Sequence, residues 1–474
     1  MEHYIFYCKL SLLAVLSLIT ACCMLSRRWY VNLAAFLACL SGETFLAHLF
    51  FPGYMLCPAA ASFIILFLSR IWDLSRTPAK GNGADPIRLP VRSGIRESRL
   101  EFHYHYSNFL VYGGAGSGKT KSIGKWLLSE YMRLGFAGFI YDFKDTDYTR
   151  TAYNLIKRHR YPHKFYYVSF DRPERSYRFN PLKVVRDRTE LIQLMEDVLL
   201  ALLPKKEQQN EWVAGGLGIL RGVAFRFWDE FPEHCTLPHI LAFIMTASAR
   251  QLSLFLQQNL VSEMLAGAYL KAEGSEKTQA SYLSTLCNNL ATISQNEEIA
   301  YVLSGDDFDF NLIDPENPKL FAVSNNFSKN SVYAPVISML MTISARQFSM
   351  QNRVPFVYFL DEMTTVNIKN FETLPSVLRE YKAAFILLTQ SGSKVENQYG
   401  RLDRSSVEAN FGNQFFGRTK DVESLKYYPM IFGKEEKERR SRSTGKSGGS
   451  TNRSVTVSSQ KEDIYQGKDF ADLE

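Results

Sequence analysis

The stretch 108–120, NFLVYGGAGSGKT, constrains this chain more than any other feature. Phe109, Leu110, Val111 and Tyr112 predict a short buried strand. It runs into Gly113, Gly114, Ala115, Gly116, Ser117, Gly118, Lys119 and Thr120, which fit G-x-x-x-x-G-K-[ST] at every fixed position. A loop this dense in glycine turns its backbone N–H groups inward as a nest for phosphate oxygens, and the helix predicted after it adds the positive end of its dipole. Lys119 then reaches the β and γ phosphates, and the Thr120 hydroxyl is placed to ligate Mg²⁺. A chance Gly-rich linker would lack both the strand before the loop and the amphipathic run 122–133 after it. ATP with Mg²⁺ is therefore the expected cofactor pair.

At 474 residues the chain exceeds one ordinary core, so two or three folded units are expected. A formal charge of +7 permits a nucleic-acid or anionic-membrane partner without requiring one. Cys8, Cys22, Cys23, Cys39 and Cys57 lie in an apolar N-terminal segment, and only Cys235 and Cys287 lie beyond it. No C-x-x-C or Cys/His spacing occurs, which supports neither a disulfide framework nor a zinc site. Residues 4–69 are too long and too apolar for a signal peptide, so 1–70 reads as a transmembrane anchor. One span covers 4–25, Arg27 and Arg28 interrupt, and at roughly 20 residues per crossing 29–69 accommodates a hairpin of two further helices. Three spans place Arg27, Arg28 and Arg70 on the cytoplasmic face, whereas two would leave the arginine pair outside. Lys9, Glu43 and His48 read as interfacial or packed against a helix rather than as a proton relay. Residues 71–100 read as a basic juxtamembrane linker that meets anionic headgroups.

Residues 101–185 form the first part of a nucleotide-binding domain. A second buried strand over 135–143 ends in Asp142, Phe143, Lys144 and Asp145, at the kind of strand end where open α/β sheets collect functional groups. A third strand is expected at 165–170, and the Asn180–Pro181 step turns the chain out of the sheet. Residues 186–300 carry apolar residues at i, i+3, i+4 and i+7, which predicts an all-α inserted domain whose Trp212 and Trp228 read as core. The second part of the nucleotide-binding domain, 301–433, holds a strand at 319–324, a helix at 332–350 and an unbroken apolar strand at 354–360 ending in Asp361 and Glu362. Asp361 would hold Mg²⁺ with Thr120, and Glu362 would orient and polarise the attacking water. The phosphate-loop strand is expected to sit beside this one. A further strand at 384–389 is capped by Gln390, positioned to sense the γ-phosphate. Arg379, exposed on helical spacing, would act in trans if the chain forms a ring. Residues 434–474 read as a flexible basic Ser/Gly-rich segment, because 434–461 hold eight bases, three acids and little to bury.

In this order behind the apolar segment, NFLVYGGAGSGKT, YDFKD, RFNPL, VPFVYFLDE and AFILLTQS resemble the coupling-protein ATPases of bacterial conjugation and type IV secretion. The TraG/TraD-type mobilisation members of Bacteroidetes are the nearest likeness. The resemblance implies an α/β fold: a membrane-anchored RecA-like P-loop NTPase domain, mostly parallel, with an inserted all-α domain. It also implies a homo-hexamer at the bacterial inner membrane, multi-pass, with its ATPase domain in the cytoplasm. Its partners would be a relaxase, the single-stranded DNA attached to it, and the secretion channel. Lys119, Thr120, Asp361, Glu362 and Gln390 match the family's nucleotide residues. Arg379 matches one basic residue usually found before the last motif strand, while Tyr381 stands where relatives often have a second. Relatives usually continue beyond the position of Glu474 into a closing strand and sometimes a substrate-selecting tail, so partner selection through a tail is not expected. Two other readings share part of the pattern. A membrane-anchored double-stranded DNA translocase would add a long linker and a winged-helix reader, and a nucleotide-gated scaffold would bind ATP without processive hydrolysis.

Overall fold

The structure, a computed structural model, describes residues 85–93, 96–203, 207–447 and 450–473. The expected membrane spans in 4–69, and the linker up to residue 84, lie outside the described residues. Among the described residues no helix is long and apolar enough to cross a membrane.

The chain enters through a hairpin, β1 (Ile87–Ser93) paired antiparallel with β2 (Arg96–Phe102). The linker expectation fails here. Ile87 and Leu89 alternate on β1 and are buried with Leu127, Leu128 and Tyr131, so two apolar residues at period two outweigh the basic composition around them. Strand β3 (Phe109–Tyr112) follows, then helix α1 (Lys125–Arg133), β4 (Ala137–Asp142), α2 (Asp147–His159) and β5 (Lys164–Ser169).

From β5 to the next strand the chain is helical. The main helices are α3 (Arg188–Ala201), α4 (Glu211–Glu230), α5 (Leu237–Thr246), α6 (Ala249–Gln257), α7 (Leu260–Leu265), α8 (Gly267–Lys271), α9 (Glu276–Ser294) and α10 (Glu297–Leu303). Side-chain caps start several of them: Asp187 on α3, Asn210 on α4 and a Ser248–Gln251 capping box on α6. Trp228 packs on the helical core as expected, whereas Trp212 is 38% exposed and touches the core only at its edge, ring to ring with Tyr282 at 5.3 Å. The sheet resumes with β6 (Lys319–Ser324), α11 (Asn330–Arg346), β7 (Phe356–Asp361), α12 (Leu374–Glu380) and β8 (Ala383–Thr389). The chain continues through α13 (Gly392–Tyr399), α14 (Arg401–Ala409), β9 (Asn413–Phe416) and α15 (Val422–Phe432). It closes with a second hairpin, β10 (Lys434–Ser447) and β11 (Ser450–Asp463), and helix α16 (Gly467–Ala471).

Seven strands form one parallel sheet in the order β5-β6-β4-β7-β8-β3-β9. Both faces are apolar, as a helix-covered parallel sheet requires. On β7, Val357 and Phe359 face the α1–α2 side, while Phe356, Tyr358 and Leu360 join the cluster that includes the inserted helices. Each such side chain contributes roughly 1.5–3 kcal/mol of transfer free energy. Gly138 on β4 is dictated by a close approach, since a Cβ there would lie 2.8 Å from the Val357 carbonyl oxygen. Asn108 bolts the start of β3 to its neighbours: it is fully buried, its side chain accepts from Phe385 N at 2.9 Å, and it donates to the Asn410 carbonyl at 3.0 Å.

The strand order corrects one expectation: β3 does not sit beside β7, because β8 lies between them. The 434–474 expectation also fails. The two strands pair from Lys434↔Asp463 to Ser447↔Ser450, and α16 returns to bury Phe470 against α15. Low hydrophobicity predicts weak burial, but a two-stranded ladder satisfies backbone groups without a core, and one aromatic anchor holds its root.

Candidate nucleotide-binding site

The loop 113–120 leaves β3 at the C-terminal edge of the sheet. It is tied on both sides. Gly113 N donates to Thr389 O at the end of β8 (3.2 Å), and Gly114 N donates to Arg418 O just after β9 (2.7 Å). Gly118 has φ 81°, a left-handed conformation that side-chain-bearing residues adopt at a cost of about 1 kcal/mol or more. Its left-handed turn starts the widened helical turn Lys119–Gly124 that leads into α1.

Lys119 is buried at 8% exposure and donates to the Gly113 carbonyl, with Glu362 Oε1 3.7 Å from its ammonium. Burial lowers its pKa against the pull of Glu362. Asp361 ends β7 at 1% exposure, and neither of its carboxylate oxygens has a hydrogen-bond partner. Burial pushes it up to about 7, with Lys144 pulling the other way. Glu362 follows at φ 48°, 2% exposed, with its Oε2 unpartnered. Ser117 Oγ and Thr389 Oγ1 are likewise buried without partners.

Buried orphan carboxylate oxygens cost several kcal/mol unless a cation or donor meets them, so this edge fits a divalent ion and a phosphate chain. Among the described residues no cluster of three or more His, Cys, Asp or Glu could hold a metal by protein ligands alone. Magnesium suits such a site, because it takes one or two protein oxygens and completes its shell with phosphate and water.

Gln390 follows β8 directly, between the phosphate-loop strand and β7, and accepts a 2.6 Å hydrogen bond from Lys394. Arg379 lies elsewhere. It is exposed near the end of α12, where β8 begins, so the seven residues of β8, about 23 Å at the usual rise, separate it from the loop of its own chain. Three further groups join the site. Lys144, after β4, places its ammonium 3.5 Å from Thr120 Oγ1. Asp142 is buried beneath it, bonded by Thr149 N at 2.8 Å and Oγ1 at 2.9 Å, and burial raises its pKa. Arg418 brings its guanidinium toward Gly116. The YDFKD strand end pointed to Lys144, but nothing local pointed to Arg418, which follows a strand, β9, that the sequence pattern did not reveal.

Residues 100–465 match the profile of the type IV secretion-system coupling protein DNA-binding domain. Among solved structures, the unbound bacterial conjugative coupling protein TrwBdeltaN70 superposes with a TM-score of 0.61 at 16% identity, covering 86% of each chain. The plasmid coupling protein TrwB with the non-hydrolysable ATP analogue ADPNP gives 0.58 at 16% identity over 78% of this chain and 81% of that one. TrwB with ADP and Mg²⁺ gives 0.59 at 15% identity over 83% and 91%. These likenesses establish a shared RecA-like P-loop NTPase fold. No curated protein matches by sequence.

Proposed function

The chain belongs to the family of type IV secretion-system coupling protein DNA-binding domains, and from that premise we propose that it is the coupling ATPase of a conjugative DNA-transfer system. It uses ATP hydrolysis to deliver a relaxase-bound single strand to a secretion channel. The observation that carries the reading is the buried edge where Lys119, Asp361 and Glu362 converge with orphaned carboxylate oxygens.

In this reading the N–H groups of Gly113, Gly114, Ala115, Gly116, Ser117 and Gly118 cradle the phosphates of ATP. Lys119 turns from its own loop carbonyl to the β and γ oxygens. Thr120 and Asp361 would hold Mg²⁺, which would supply charge neutralisation on the phosphoryl oxygens. Glu362, held near Lys119 by its left-handed backbone, orients the attacking water and draws on its proton. Gln390 reports the γ position, and Lys144 adds positive charge beside Thr120. Arg379 serves only in trans, because β8 keeps it away from its own site. That requires a ring, a homo-hexamer by the family resemblance, with each nucleotide at a boundary between subunits. The same resemblance supports residues 1–70 as the inner-membrane anchor, 71–84 as its linker, 186–300 as an inserted domain and the motor in the cytoplasm.

The test is turnover of the purified chain with and without single-stranded DNA. Lys119→Ala should abolish ATP binding and DNA transfer, and Glu362→Gln should bind ATP yet lower turnover by about 10²-fold or more, the usual contribution of a positioned base. Wild-type turnover in E362Q would remove it as the catalytic carboxylate.

A further inference from the structure

We propose that the β10–β11 ribbon is a nucleic-acid arm, a phosphate-directed and sequence-tolerant contact for the transferred DNA, rooted on the phosphate loop. The inference rests on the reading that DNA is the cargo and assigns it a surface.

The ribbon is long. Two strands of 14 residues pair over their whole length, about 45 Å at the usual rise. An exposed two-stranded ribbon needs charge to resist edge pairing, and mixed charge would suffice. Here the signs are sorted along its length. Residues 439–459 contain five bases, Arg439, Arg440, Arg442, Lys446 and Arg453, and no acid. The acids Glu435, Glu436, Glu438, Glu462 and Asp463 sit at the root. The register pairs Arg440 with Val457, Arg442 with Val455, Thr444 with Arg453 and Lys446 with Thr451. The bases thus occupy register positions spread along the outer part of the ladder, and Val457, where that part begins, is 54% exposed.

That pattern fits a polyanion whose charges run along a line. Residues 434–463 contain no Phe, Trp, Tyr or His, so the ribbon has no ring on which a base could stack and no aromatic wedge for a bilayer interface. Ser, Thr, Asn and Gly dominate its outer part instead, which suits contacts to phosphate and sugar. The root supplies the link to ATP. Phe470 packs on Tyr428, Phe432 and Tyr465, and Tyr428 packs on Tyr112, the last residue before the loop. Thr419 N donates to Phe470 O at 3.2 Å, one residue after the Arg418 carbonyl that receives Gly114 N. The ribbon's root and the phosphate loop therefore share one bracket.

The full-length chain in detergent, carrying R440Q/R442Q/R453Q, should bind oligo-dT on the order of a hundredfold more weakly at 0.1 M salt, with a salt slope shallower by about 2. The ratio of ATP turnover with DNA to turnover without it should fall toward one. A root variant, K434Q/K437Q/K461Q, should keep oligo-dT affinity within about twofold, since exposed ion pairs contribute little. Unchanged affinity and slope in the outer variant would overturn the proposal. So would an equal loss in both variants, or a loss of binding to phosphatidylserine vesicles with DNA affinity intact, which would assign the ribbon to the membrane. Absent ATP turnover in the unaltered chain would instead count against the motor reading, and the affinity comparison would still report on the ribbon.

Discussion

Glu362 holds a left-handed backbone conformation that costs an acidic residue on the order of 1–3 kcal/mol, and it lies beside a carboxylate with no donor at either oxygen. Two uncompensated features on consecutive residues mark an edge organised for a ligand rather than for stability. Asp361 makes this measurable. Its native pKa of about 7 stands above the unfolded value of 3.8. Below 3.8 both states are protonated, and as pH rises the unfolded chain ionises first. The native state therefore carries a penalty that grows from pH 4 and saturates above 7. Without nucleotide or magnesium, Asp361→Asn should be more stable than the native chain at pH 8 by up to about 4 kcal/mol, with the advantage vanishing toward pH 4. Denaturant titration across pH checks both ends. At this scale the sequence was informative where chemistry dictates residue type at fixed spacing, as in the loop and the paired acids. It was silent on Arg418, because a backbone carbonyl bonding to Gly114 leaves no mark on the residue's identity.

Among elements, β8 changes the layout most. It separates the phosphate-loop strand from the strand that ends in Asp361, so its tip, Thr389 and Gln390, lies between the two halves of the site. Apolar runs such as AFILLT announce a buried strand but carry no information about which neighbours it takes, since every strand of a parallel sheet is apolar on both faces. The two hairpins show the opposite failure. Each was masked by charge and recovered only through its register and a few buried anchors, Ile87 and Leu89 in one and Phe470 at the foot of the other. Phe470→Ala should cost about 3 kcal/mol or more and speed hydrogen exchange in β9 and α15, while leaving β4 to β7 protected. Unaltered exchange around the hairpin root would mean that Phe470 does not hold it.

The inserted helices and the sheet act as one folded unit through few polar ties. Asp197 on α3 is the clearest. It is nearly buried, with Arg346 of α11 at 2.8 Å and Lys369 of the loop after β7 at 2.7 Å. Removing it strands the Arg346 guanidinium, which is three-quarters covered and keeps only the Glu190 carbonyl at 3.3 Å. Asp197→Ala should therefore lower stability by about 1–3 kcal/mol and loosen α3 from α11, read as faster exchange in both helices. Unchanged exchange would place the coupling in the apolar contacts alone.

The sequence by itself determined the chemistry: a phosphate-binding loop, a pair of acids to face it, a helical stretch between two groups of strands, and an apolar segment ahead of them. Those properties follow from residue type and local period, which need no knowledge of what lies across the fold. Tertiary structure alone decided the neighbours. It put β8 between β3 and β7, kept Arg379 a strand's length from its own site, brought Arg418 to the loop and stood the basic ribbon on the same bracket. Each depends on contacts between residues far apart in the chain: backbone hydrogen bonds that any side chain would allow set the strand order and the Gly114–Arg418 tie, and a few aromatic rings hold the root of the ribbon.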